Sequence, residues 1–181
     1  MTLVILTEES SMKEVVKAIL PKMGVSLAQV TIIEHQGVSH LERSLQRKLK
    51  GWTDPNAKFL VLRDNNNGDC HARKKRLVDL INASGRGAQS KVRIVCQELE
   101  AWFIGDKTAL ESSNLFRKIP ARLCARDPDQ IVQPSRELSR LCPGYGKVSG
   151  ASIIAPHLDP ERNRSDSFHH TVSAIRQLIA M

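Results

Sequence analysis

Lys58-Phe59-Leu60-Val61-Leu62-Arg63-Asp64-Asn65-Asn66-Asn67-Gly68-Asp69 is the stretch on which the fold turns. The apolar run from Lys58 to Leu62 reads as a strand, and it leads directly into a polar loop. Asp64 therefore stands at the carboxyl end of that strand. Asn65 to Asn67 followed by Gly68 is also turn chemistry, because these residues tolerate positive φ. Beyond the loop, Arg73 to Asn82 is helix-like.

The same alternation extends in both directions. Thr2 to Thr7 is an apolar, partly β-branched run, and Ser10-Ser11 offers an N-cap to an amphipathic helix from Met12 to Met23. Val15, Val16, Ile19 and Leu20 recur there at helical spacing opposite Lys13, Glu14 and Lys17, with Pro21 near the end. Gln29 to Glu34 gives a second strand. Ser39 to Leu49 gives a basic helix, with Leu41, Leu45 and Leu49 set among Arg43, Arg47, Lys48 and Lys50. Lys91 to Cys96 is the fourth strand, and Gln97-Glu98-Leu99-Glu100-Ala101-Trp102 follows it. Strands alternating with helices predict an α/β fold, a Rossmann-like, mainly parallel four-stranded sheet with right-handed crossovers, over residues 1–110. Residues 111–181 are divided by Pro120, Pro128, Pro134, Pro143, Pro156 and Pro160, which predicts a helical, loop-rich extension packed on the core as one structural unit. Its last helix, Ser165 to Ile179, carries Phe168, Val172, Ile175 and Leu178 on one stripe.

The 181 residues are 41% hydrophobic and 25% charged, the profile of one or at most two compact soluble domains. The net charge of +8 favours a polyanionic partner. With only 4% aromatic residues, a base-stacking platform is disfavoured and phosphate contacts should dominate on nucleic acid. No apolar stretch approaches the roughly 20 residues that cross a bilayer. The opening segment lacks the basic region and cleavage site of a signal peptide, so a cytoplasmic location is expected. Cys70, Cys96, Cys124 and Cys142 form no CxxC pair and read as reduced thiols.

Active residues of open parallel sheets collect just past the carboxyl ends of strands, where loops converge on one crevice. Three such ends carry acids here: Glu8 with Glu9, Asp64 with Asn66 and Asp69, and Glu98 with Glu100. Carboxylates delivered from separate loops suit hard cations such as Mg2+ or Mn2+. Without a cation they repel one another. Taken singly, each acid has a plainer role in capping a helix, with Glu8 or Glu9 before the first helix and Asp69 before the third.

Thr7-Glu8-Glu9-Ser10-Ser11, Leu62-Arg63-Asp64-Asn65-Asn66 and Glu98-Leu99-Glu100-Ala101-Trp102 together resemble a Toprim-like family of uncharacterised bacterial proteins. Toprim is the fold module of topoisomerases, primases and overcoming-lysogenization-defect nucleases. Its pattern is a glutamate after the first strand and Asp-x-Asp after the third, which bind Mg2+ and assist phosphodiester chemistry. The resemblance implies that Glu8 is the acid or base and Asp64 the main metal ligand. Asn66 replaces the usual second aspartate with a neutral donor, and Asp69 is placed to compensate. Pro143-Gly144-Tyr145-Gly146-Lys147 and Asn163-Arg164-Ser165-Asp166-Ser167-Phe168 look like C-terminal signatures of the same family, so the likeness covers nearly the whole chain. Members often lie beside ATPases in bacterial defence neighbourhoods, which implies a nuclease or toxin-like effector with an ATPase partner.

The C-terminal signature also has its own chemistry. Arg164 can grip a phosphate bidentately, Ser165, Ser167 and the start of the last helix can donate to the same anion, and Lys147 can join them. Against this, Asn163 or Ser165 can simply cap that helix. His71, His169 and His170 lie in no zinc-like spacing. Tyr145, the single tyrosine, suits structural hydrogen bonding better than covalent catalysis, and Trp102 reads as a core aromatic behind the acids.

Two functions compete on this sequence. One is a Mg2+- or Mn2+-dependent phosphodiesterase on nucleic acid. In it Asp64, Asn66, Asp69, Glu98 and Glu100 hold the metal, Glu8 activates water, and Lys147 and Arg164 position the strand. The other is a non-catalytic module, with a degenerate site, that binds nucleic acid or an ATPase.

Overall fold

The computed structural model describes residues 2–180. Strands β1 (Leu3–Thr7), β2 (Val30–Glu34), β3 (Lys58–Asp64) and β4 (Ser90–Val95) form one all-parallel sheet in the order β2-β1-β3-β4. The expected α/β architecture is the one observed. β1 and β3 occupy the centre and are almost wholly buried, as their continuous apolar runs require. The edge strands β2 and β4 keep polar, partly exposed positions such as Thr31 and Arg93.

Side chains alternate across the sheet and sort the core into two layers. On one face Leu3 and Ile5 pack with helix α1 (Ser10–Lys22), and on the other Val4, Leu6, Phe59 and Val61 pack under α2 (Val38–Lys50) and α3 (Cys70–Ala83). Helix α1 starts at Ser10, two residues before the expected Met12. Glu9 is its N-cap residue, and the Glu9 carboxylate accepts the Ser11 hydroxyl at 2.6 Å.

After β4 come α4 (Glu100–Gly105), α5 (Lys107–Ser112), α6 (Ala121–Ala125), α7 (Pro134–Leu141), α8 (Lys147–Ile154) and α9 (Asp166–Ala180), with no strand among the described residues. α8 packs on α1, and α9 lies against β4. Leu138, Ile154, Phe168 and Ile175 share one apolar cluster with Ile5 and Val16. Among the described residues no helix is long and apolar enough to cross a membrane.

Register positions the acids. Thr7 ends β1 opposite Leu62, whereas β3 runs two residues further, to Asp64 opposite Val95. The chain leaving β1 is therefore held against the overhang of β3, and the Glu8 N–H donates to the Leu62 carbonyl at 3.1 Å.

Candidate active site at the carboxyl edge of the sheet

Glu8, Asp64 and Glu100 are all buried, and each sits at a different strand end. Glu8 Oε2 accepts the Asp64 backbone N–H at 3.1 Å and lies 3.9 Å from Arg63 Nε. The Arg63 side chain is itself buried, and its Nη1 pairs with Glu42 on α2 at 2.8 Å. Glu42 also takes Arg76, so alternating charges run from the sheet edge to the surface. Glu100 Oε1 accepts the Tyr145 hydroxyl at 3.4 Å.

Five buried side-chain atoms among the described residues have no hydrogen-bond partner: Thr7 Oγ1, Arg63 Nε, Asp64 Oδ1, Asn65 Oδ1 and Glu100 Oε2. All five lie at the carboxyl ends of β1 and β3 or just after β4. Buried polar groups are almost always paired, so a concentration of orphans at one sheet edge marks a place prepared for something other than stability.

The charges agree. Burial pushes the Asp64 carboxyl well above its ordinary value, and the neighbouring Glu9, Glu8 and Glu100 add to the rise. Burial raises Glu100 to about 7, against the pull of Lys147. Burial also raises Glu8, although the Asp64 N–H and Arg63 oppose it. For Lys147, burial alone would lower the ammonium, but Glu100, Glu9, Glu98 and Asp64 more than reverse it and the net shift is upward. Lys147, at the start of α8, is thus the counter-ion of the acid edge. The Tyr145 hydroxyl is pushed up by burial and then by Glu100, which keeps it a neutral donor.

The other expected ligands are placed differently. Asp69 is exposed and caps α3, its Oδ1 accepting from the N–H groups of His71 and Ala72 at 2.9 and 3.1 Å. Asn66 is exposed with φ +47°, its N–H bonded to the Gln97 carbonyl, so it serves the turn between the two loops. Glu98 is half-buried, and its Oε2 accepts the Ser135 N–H at the start of α7 while its charge still reaches Lys147. Among the described residues, no three of His, Cys, Asp and Glu are gathered tightly enough to hold a metal ion. Asp64 and Glu100, with free buried oxygens, are the groups that could take a hard cation, with Glu9 and Glu98 alongside.

The C-terminal signature does surround an anion, but the anion belongs to the protein. Asp129 Oδ1 accepts Ser165 Oγ at 2.7 Å and Ser167 Oγ at 3.1 Å, and Oδ2 accepts the Ser167 N–H at 2.9 Å. Ser165 Oγ also accepts the Phe168 N–H, a true helix cap, and Trp102 Nε1 donates to Ser167 Oγ. Asn163 bridges the Trp102 carbonyl and the Ser165 N–H. The Arg164 guanidinium donates to the carbonyls of Cys124 and Arg126, so the structure does not join it to Lys147. Trp102 is fully buried, as expected of a core aromatic.

Sequence reasoning missed Thr7, Arg63 and Asn65, whose burial is a property of the assembled sheet. It also missed Asp129, which lies 36 residues from Ser165 and carries no local signal.

The profile described as Domain of unknown function (DUF4276) matches residues 6–176. No curated protein matches the chain. The C-terminal region of the Xanthomonas campestris pv. campestris OLD protein superposes with a TM-score of 0.62 at 18% identity, over 98% of this chain and 96% of that one. The C-terminal region of the Burkholderia pseudomallei OLD protein gives 0.58 at 18% identity, over 98% of each chain. At these identities the likeness is one of fold.

Proposed function

The chain belongs to the DUF4276 family, and from that premise we propose that it is a Toprim-like, Mg2+- or Mn2+-dependent phosphodiesterase acting on nucleic acid. The observation that carries the reading is the sheet edge itself, where buried acids face one lysine and the orphaned buried polar atoms of the described residues collect. The likeness in fold to OLD C-terminal regions and the net charge of +8 support it.

No ready-made cluster of three ligands is present among the described residues, but two buried carboxylates offer hard oxygen donors that suit a divalent cation keeping several waters. Asp64 Oδ1 and Glu100 Oε2 are carboxylate oxygens buried without partners, and hard cations take such ligands. When bound, the cation supplies charge stabilisation at the phosphoryl oxygens. Asp64 and Glu100 would hold it, with Glu98 nearby. Glu8, raised from its ordinary value, is a better proton acceptor near neutrality and takes a proton from water. The water oxygen bonds to phosphorus, the bond to the leaving oxygen breaks, and that oxygen takes a proton from solvent while Glu8 releases the one it accepted. Lys147 sets its ammonium against the phosphate charge.

The test is cleavage of end-labelled single- and double-stranded DNA and RNA with Mg2+ or Mn2+. Wild type is expected to cleave at least one of them only with metal. Glu8→Gln and Asp64→Asn should each lower the rate at least a hundredfold, with the circular dichroism spectrum unchanged. Full activity in both variants overturns the mechanism.

One observation favours a second reading. Asn66, at the position of the usual second aspartate, is neutral and exposed. A module with a degenerate site would bind nucleic acid or an ATPase partner without cleavage.

A further inference from the structure

Helices α6 and α7 enclose two adjoining clefts, of about 430 and 150 Å3, which share Arg126, Glu137 and Arg140 on their walls. Arg122 completes the first and Arg136 the second, so four arginines and one acid line a single groove. Glu137 is shared between Arg126 at 3.6 Å and Arg140 at 3.5 Å, and Arg136 meets only the neutral Gln133 amide. These are exposed ion pairs, worth little and readily exchanged for another anion. Four cations against one carboxylate leave the groove strongly positive.

We infer that this groove is a phosphate-backbone track, along which a nucleic acid strand reaches the acid edge of the sheet. The inference rests on the phosphodiesterase reading for its destination, and on the groove alone for its chemistry. Every cation in it is arginine, whose planar fork matches a phosphate bidentately, whereas a merely solvated surface has no need of that geometry. Arg136 and Arg140 are one helical turn apart, about 6 Å along α7, and so present successive donors in line.

The track also leads to the right place. Ser135, next to Arg136, donates its N–H to Glu98, while the segment after α7 carries Tyr145 to Glu100 and Lys147 to the acid cluster. α7 is thus tied to the site at both ends. Arg164 enters here as well: by donating to the carbonyls of Cys124 and Arg126 it fixes the end of α6 that presents Arg126. It is a positioning residue for the groove.

The experiment is fluorescence anisotropy of labelled single-stranded and duplex oligonucleotides, titrated with the 181-residue protein in EDTA over a series of salt concentrations. Wild type is expected to bind, with affinity falling steeply as salt rises. Arg122→Ala/Arg140→Ala should weaken binding roughly tenfold and flatten the log–log salt slope by about 1 to 2, as loss of phosphate contacts predicts. Glu137→Gln should tighten binding a few-fold, a gain that misfolding cannot imitate. Unchanged affinity and slope in the arginine variant, or no oligonucleotide binding by wild type, overturns the track. Binding is read without metal, so failure of cleavage with binding intact counts against the phosphodiesterase reading alone.

Discussion

The Asp64 backbone N–H donates to Glu8 Oε2 at 3.1 Å, while the Asp64 carboxylate atom Oδ1 lies buried without any partner. One residue thus fixes the first acid of the site and carries the least comfortable charge in it. Burial and three acidic neighbours all disfavour that charge, yet the fold keeps a carboxyl there. Groups held in this way lower stability and are kept where chemistry needs them.

Asp64→Asn should therefore stabilise the protein while removing activity. The amide is neutral and nearly the same shape, and it ends the repulsion with Glu9, Glu8 and Glu100. A gain of about 1 to 3 kcal/mol at pH 8 is expected, within the range for buried polar substitutions. Because the folded carboxyl is raised, its protonated form supplies stability at low pH that is lost as pH rises, so the advantage of the amide should shrink towards pH 4. Thermal melts of both proteins at pH 4, 6 and 8 measure it; a destabilised variant at pH 8 would contradict the assignment.

Glu100 gives the pH profile its position. Its carboxyl is raised from 4.5 to about 7, so protonation favours the folded state fully below about pH 4.5, and that contribution is lost as pH rises through 7. The difference is about 3 kcal/mol for this group. Wild-type stability should decline between pH 5 and pH 8, and Glu100→Gln should flatten the decline. Denaturant melts across that window decide it, and parallel profiles for the two proteins would refute the shift.

Much of this was legible in the sequence because strands, helices and caps are local. The run Lys58 to Leu62 and the acid after it locate β3 and Asp64 without any tertiary information, and Asp69 before α3 is a cap by spacing alone. Convergence is not local. That the charge of Lys147 is felt by acids from three loops, or that Arg63 is drawn inward by Glu42 from a helix that reads as basic, depends on register and packing. The separation of Asp69 from the site has the same origin, since a side chain already accepting two backbone N–H groups stays at its helix.

Lys147 and the acids should be energetically coupled. Lys147→Met removes the cation that lowers Glu100, Asp64 and Glu8, so it should destabilise the protein by about 1 to 3 kcal/mol at pH 8 and much less at pH 5. In the Glu100→Gln background the loss should be visibly smaller, which a double-mutant cycle measures directly. Additive effects would place Lys147 outside the cluster.

Divalent cations should stabilise the wild type by linkage, by about 2.7 kcal/mol at a hundred times the dissociation constant. The increment should be larger at pH 8, where the carboxylates are ionised, than at pH 5.5. Asp64→Asn should abolish it. Asp69→Asn should preserve it, because Asp69 serves α3. Melting curves with and without Mn2+ for the three proteins test this, and an increment that follows Asp69 instead of Asp64 would move the site.

The anion seat at the start of α9 offers the clearest test of the C-terminal signature. Asp129 satisfies Ser165 Oγ, Ser167 Oγ and the Ser167 N–H, and its removal leaves the N–H and one hydroxyl without an acceptor beside a helix N-terminus, since only one of the two hydroxyls can turn to the other at 3.0 Å. Asp129→Ala should cost about 2 to 4 kcal/mol, a fall in Tm of roughly 5 to 15 °C. The emptied seat should then accept a small external anion, because buried N–H and O–H donors at a helix start favour one. Inorganic phosphate should therefore raise the Tm of Asp129→Ala well beyond its effect on wild type, and Ser165→Ala in that background should remove the gain. Equal phosphate effects on wild type and Asp129→Ala would show that the serines do not form an anion seat.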